Sequence, residues 1–129
     1  MADAGTVNIN RTPFKDDLSC VVLEWTADAS GNATKTFGDV NGTIERIVFV
    51  PSATSGVVPD SGYDVTLTDD NGIDVFSGKG ANLSAASSTS VLETGSDPVL
   101  PFATCGQLDL SVSNAGNASQ GIIRIYVRR

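Results

Sequence analysis

Along the chain, apolar residues recur mostly at every second position, in short runs broken by Gly, Asn, Asp, Ser and Pro. A period of two marks strands half-buried against a core, and no stretch sustains the 3.6-residue period of an amphipathic helix. The first strand is predicted over Leu18–Thr26, with Val21, Leu23 and Trp25 on one face and Cys20, Val22 and Glu24 on the other. The turn Ala29–Asn32 lets Ala33–Phe37 return as a second strand. Thr43–Val50 is nearly continuous and β-branched, which predicts a central strand with both faces covered. Pro51 ends it, and Ser52–Asp60 follows as an exposed loop. Tyr63, Val65 and Leu67 then alternate with Asp64, Thr66 and Thr68. The turn Asp69-Asp70-Asn71-Gly72 predicts a tight hairpin, because Asn-Gly tolerates positive φ. Ile73, Val75 and Ser77 are expected to begin its returning strand. Leu83–Thr94 reads as a short helix or an ordered loop. Pro98–Thr104, Gln107–Ser113 and Ile122–Arg128 complete the strands, with Asn114–Gly121 as a long hairpin tip. In the last of these Ile123, Ile125 and Val127 face the core, and Arg124, Tyr126 and Arg128 face out.

About eight short strands at this spacing predict an all-β fold, an antiparallel β-sandwich of jelly-roll type. The immunoglobulin arrangement is less well matched, because Trp25 follows Cys20 too closely for its Cys…Trp…Cys pattern. Two segments are expected: a polar N-terminal arm over Met1–Asp17 and a single domain over Leu18–Arg129.

Size and charge narrow the function. The 129 residues, 40% apolar and 18% charged, suffice for one buried core. Fifteen acids against eight bases give a net charge of -7, which argues against a nucleic-acid partner. No apolar run is long enough to span a membrane, and the first residues lack the basic and apolar regions of a secretory signal. The absence of histidine removes Ser-His-Asp and Cys-His catalysis and most zinc sites. With Glu24, Glu45 and Glu93 scattered and no Ser-x-x-Lys motif, no catalytic residue, cofactor or metal is assigned, and the chain is not expected to be an enzyme. Cys20 and Cys105, far apart in sequence, read as reduced thiols in preference to one long-range disulfide.

Three groups of residues invite a functional reading. Asp69, Asp70, Asn71 and Asp74 could offer oxygens to calcium, but a solvated turn explains the same residues. Trp25 and Tyr63 would be the stacking platforms of a carbohydrate-binding domain, yet their apolar neighbours favour core packing. Arg124, Tyr126, Arg128 and Arg129 form the one local concentration of positive charge. They are the candidate interface, suited to acidic groups on a neighbouring subunit or shell.

Two stretches carry a family resemblance: Tyr63–Asp69 with Gly72–Val75 and Gly78–Asn82, and then Leu108–Ala118. Over this C-terminal half the chain resembles small virion proteins of tailed bacteriophages, of the capsid decoration (cement) type. The resemblance implies a β-rich domain made in the host bacterial cytoplasm and placed on the outer capsid surface of the virion. There it would bind the major capsid protein, bridge capsomers and stabilise the shell, as a homotrimer. The other readings are a carbohydrate- or receptor-binding β-sandwich of a phage tail or fibre, and a connector or tail structural protein.

Overall fold

The computed structural model describes residues 5–13, 18–38, 42–76, 78–92, 102–104 and 106–128. Among them no residue is helical, and nine strands form. These are β1 (Thr6–Pro13), β2 (Leu18–Thr26), β3 (Ala33–Phe37), β4 (Gly42–Pro51), β5 (Asp64–Thr68), β6 (Thr89–Leu92), β7 (Phe102–Thr104), β8 (Leu108–Ser113) and β9 (Gln120–Arg128). Two antiparallel sheets result. The larger runs β1-β2-β9-β4-β6, with β7 also on β4, and the smaller runs β3-β8-β5. The orders β2-β9-β4-β7 and β3-β8-β5 are those of a jelly roll whose eighth strand, beside β5, is missing.

A loop fills that missing place. The Val65 N–H donates to the Gly80 carbonyl (2.7 Å), and the Val75 N–H donates to that of Leu67 (2.7 Å). Asp74 takes the rest: its Oδ1 accepts from the Leu67 and Phe76 N–H groups (both 3.1 Å), and its Oδ2 from Gly78 (3.0 Å). Gly80 lies so close that a Cβ there would strike the Val65 carbonyl oxygen. The edge of β5 is thereby covered without a regular strand, which also blocks pairing with a foreign chain. The same loop turns Val75 and Phe76 into the core, where Phe76 meets Phe49 edge-on at 5.1 Å.

The core lies between the two sheets. Val21, Leu23, Trp25, Ile44, Ile47, Phe49, Ile123 and Ile125 from the larger sheet face Val65, Leu67, Leu108, Leu110 and Val112 from the smaller. Trp25 is its largest buried side chain, tilted against Tyr63 with ring centroids 5.6 Å apart. The indole lies over Gly121, its cross-strand partner, and a Cβ on Gly121 would come within 2.6 Å of Trp25 Cε2. Only glycine leaves the ring its place.

Five expectations change. The segment from Asn114 is no hairpin tip, because the strands it joins, β8 and β9, lie in different sheets and do not pair. Thr6–Pro13 is no arm: it pairs with β2 from Thr6↔Thr26 to Pro13↔Ser19, and Val7 is buried in the core. The Thr-Val-Asn-Ile-Asn alternation drives this, since Val7 and Ile9 gain burial while the asparagines stay exposed. The rest of the expected arm, Met1–Ala4 and Phe14–Asp17, lies outside the described residues apart from Gly5.

The returning strand after Gly72 also does not form. One isolated bridge, Thr68↔Asp74, follows the turn; Ile73 is exposed, and Ser77 lies outside the described residues. Side-chain capping by Asp74 outcompetes the ladder there. Next, β4 has only one covered face, since Arg46 is exposed and Val48 and Val50 are half-buried. A bulge at Glu45, between Ile44↔Val127 and Arg46↔Tyr126, turns both Ile44 and Ile47 inward despite their odd spacing. Finally, Leu83–Thr94 is loop as far as Ser88 and strand over β6, with Glu93 and Thr94 outside the described residues. Pro98–Pro101 also lie outside them, and β7 is the described part of the strand expected there.

The Trp25–Gly121 contact yields a stability prediction. Gly121→Ala is expected to cost about 1–3 kcal/mol, the range for overpacking a core, measured as a lower urea midpoint at unchanged slope. Trp25→Phe in the same chain should recover part of that loss, because the smaller ring vacates the Cβ position.

Candidate functional site

The outer face of the larger sheet is built from cross-strand rows. Thr12, Cys20, Tyr126 and Arg46 align in one row; Asn10, Val22, Arg124 and Val48 in the next; Asn8, Glu24, Ile122 and Val50 in the third. The described side chains of these rows are mixed in character. Val22, Val48, Val50, Ile122, Arg124 and Tyr126 are half-buried by one another, and Arg46 and Glu24 are exposed. Among the described residues no further layer lies over this face, and its aliphatic residues are partly wet.

The arginines are individually placed. Arg46 sits over the Tyr126 ring at 5.5 Å from its centroid, a cation–π geometry that orients both side chains. Arg128 Nε donates to Glu45 Oε1 at 2.7 Å, on the residue the bulge pushes out. Arg124 lies between Val22 and Val48 and has no carboxylate partner among the described residues. Its charge acts instead on the buried thiol of Cys20: burial pushes that pKa up, while Arg124 and hydrogen bonds from Tyr126 and the Ile125 backbone oppose the rise. Cys20 is a free thiol, and Cys105 lies outside the described residues.

The candidate interface residues therefore share one face. Arg124, Tyr126 and Arg128 project from β9, whereas Arg129 lies outside the described residues. Sequence reading missed Arg46, which the fold brings opposite Tyr126. Its signal was the Glu45-Arg46 pair interrupting an otherwise apolar strand.

Apart from Glu24 and Glu45, the described acids lie elsewhere. Asp28, Asp60, Asp64, Asp69, Asp70, Asp74 and Asp109 belong to the smaller sheet or to loops adjoining it. Several are occupied by local bonds. Asp69 Oδ1 accepts from the Asn71 and Ile73 N–H groups (2.9 and 3.1 Å), and Asp28 Oδ1 from Ser30 and Asn32 (2.9 and 3.0 Å). Asp64 accepts from the Asn82 N–H (2.9 Å) and from Asn114 Nδ2 (2.7 Å), and these bonds hold its carboxyl below the usual range. Asp69 and Asp74 thus serve the turn and the loop that follows it. Among the described residues, no group of three or more acids or cysteines is gathered as a metal site would require.

Trp25 and Tyr63 are both core residues, each 1% exposed, so neither offers a stacking platform. At the Gln120 end of the same outer face lies a cavity of about 220 Å³, lined by Asn8, Glu24, Thr26, Ser52, Gln120 and Ile122 among others. Its residues are distant in sequence and carry no motif, which is why pattern reading passes over them.

No family model matches the chain, and no curated protein matches it. Among solved structures it is similar to the carbohydrate-binding module TmCBM61, solved in complex with β-1,4-galactotriose. The two share 9% identity at a TM-score of 0.31, over 94% of this chain and 88% of that one.

Tyr63 gives a pH prediction. Burial raises its phenol from 10.0 to about 12. A folded-state pKa above the unfolded one means its contribution is intact below pH 10 and is lost as pH rises toward 12. Alkaline titration followed by circular dichroism should therefore show stability falling across that window, with a shallower fall in Tyr63→Phe.

Proposed function

We propose that the chain is a tailed-phage capsid decoration protein, a structural binding domain with no catalytic step. It docks on the outer head shell through the Arg46, Arg124, Tyr126 and Arg128 end of the larger sheet's outer face. The observation that carries this reading is the segregation of charge. In a chain of net charge -7, three of the four described arginines, Arg46, Arg124 and Arg128, gather on one partly apolar face while most described acids lie on or around the other sheet. Arg124 and Tyr126 beside the half-buried Val22 and Val48 have the composition of an interface centre, where a partner's carboxylates would meet Arg124 away from water. The phage-like motifs of the C-terminal half support the same reading.

Attachment as a homotrimer suits this role. β1 and β3 are edge strands, and symmetric assembly is one way to cover such edges. Three modest contacts on one shell then act together through effective concentration.

Two measurements test the proposal. Light scattering of the purified chain should give about three times its 13.3 kDa, and a monomer mass at high concentration contradicts the trimer. Shells stripped of the chain should rebind it in a salt-sensitive manner. Arg124→Glu combined with Arg46→Glu should weaken rebinding more than about tenfold, the loss expected for reversed charges at an interface centre. Rebinding equal to the wild type, with the variant folded, overturns the assignment of this face.

A further inference from the structure

We infer that the trough at the Gln120 end of the larger sheet's outer face binds one ring of a polyhydroxylated ligand, a pyranose sugar. This activity goes beyond shell attachment and uses other residues.

The trough is built by register. Asn8 pairs with Glu24 and Glu24 with Ile122, while Thr26 pairs with Gln120. Past the end of β4, the Ser52 N–H donates to the Gln120 carbonyl at 3.1 Å and brings its side chain to the same rim. Five polar side chains thus line it together with Trp25, Val50, Pro51, Gly121 and Ile122. The volume, about 220 Å³, is below the ~300–1,000 Å³ of sites for drug-sized ligands and suits a single ring.

The chemistry of the rim selects the ligand. Asn8 and Gln120 amides donate and accept, the Thr26 hydroxyl does both, and the Glu24 carboxylate only accepts. None of these four side chains is bonded to a protein partner among the described residues, so their capacity is open to a ligand. Ser52 Oγ accepts from the Thr54 N–H at 3.2 Å and keeps its own proton to donate. Neighbouring ring hydroxyls need donors and acceptors together, which this mixture supplies. The half-buried side chains of Val50 and Ile122 offer an apolar surface to the C–H face of the ring. Glu24 disfavours anions, and a single carboxylate among neutral oxygens falls short of a hard-cation site.

Position agrees with an outward-facing role. β9 runs from Gln120 to Arg128 at about 3.3 Å per residue, so the trough and the Arg128 end lie at opposite ends of the strand. A chain docked by its Arg128 end holds the trough away from the shell, and the strands that carry it keep it rigid.

Amide NMR of the ¹⁵N-labelled chain, titrated separately with glucose, galactose, mannose and N-acetylglucosamine, tests this. With at least one sugar, saturable shifts are expected on Glu24, Thr26, Ser52, Gln120 and Ile122. Glu24→Ala should weaken that binding about tenfold, the loss of one hydrogen bond to a charged acceptor. Glu24 and Gln120 are exposed, so these substitutions leave the core alone, and unchanged spectra elsewhere confirm it. Linear, non-saturating shifts with every sugar, saturable shifts mapping to the smaller sheet, or full binding by both Glu24→Ala and Gln120→Ala overturn the inference. None of these results bears on shell attachment, which is read by rebinding.

Discussion

The indole of Trp25 lying over Gly121 is the constraint around which the rest is arranged. It forces a residue without a side chain into the start of β9, and so fixes the register of β9 against β2 and β4. The same ring meets Tyr63 across the sandwich, joining the larger sheet to the approach to β5. With this register set, parity decides everything outside. Gln120 and Ile122 face the trough, and Arg124, Tyr126 and Arg128 face the basic end. Slipping β9 by one residue would bury the arginines and expose the isoleucines, which is why core packing and surface chemistry cannot vary separately here.

Among the described residues nothing is layered on either outer face of the sandwich, and this chain treats the two faces differently. The smaller sheet turns out Thr34, Thr36, Thr66, Thr68, Asp109 and Ser111, an entirely polar face in which Thr36 Oγ1 donates to Asp109 Oδ1 at 2.6 Å. The larger sheet turns out valines, an isoleucine and arginines. A polar face that water can solvate needs nothing on top of it. A face of half-buried aliphatics around Arg124 gains by being covered, and the proposed docking rests on that asymmetry.

The alternation rule carried most of the fold. Leu108, Leu110 and Val112, and Ile123, Ile125 and Val127, are buried as their spacing requires, and the outward position of Arg124, Tyr126 and Arg128 follows from the same parity. Where pattern reading failed, a local interaction had replaced the periodic one. Asp74 caps backbone groups that a returning strand would have paired, and the bulge at Glu45 breaks the phase of β4. β1 was hidden for another reason: Val7 and Ile9 are too few to stand out among polar neighbours, and only pairing with β2 makes them core. The basic end was legible in β9 except for Arg46. The trough was not, because its residues meet only after four strands have been placed in register.

A reconstruction of the assembled virion, at a resolution that separates strands, bears most directly on the claim that the larger sheet is the binding side. The account predicts density for the chain at capsomer boundaries, with the outer ends of β9 and β4 that carry Arg46, Arg124 and Arg128 against the shell and the Gln120 end pointing outward. Density with the smaller sheet on the shell, or the chain found only at the tail, would contradict it.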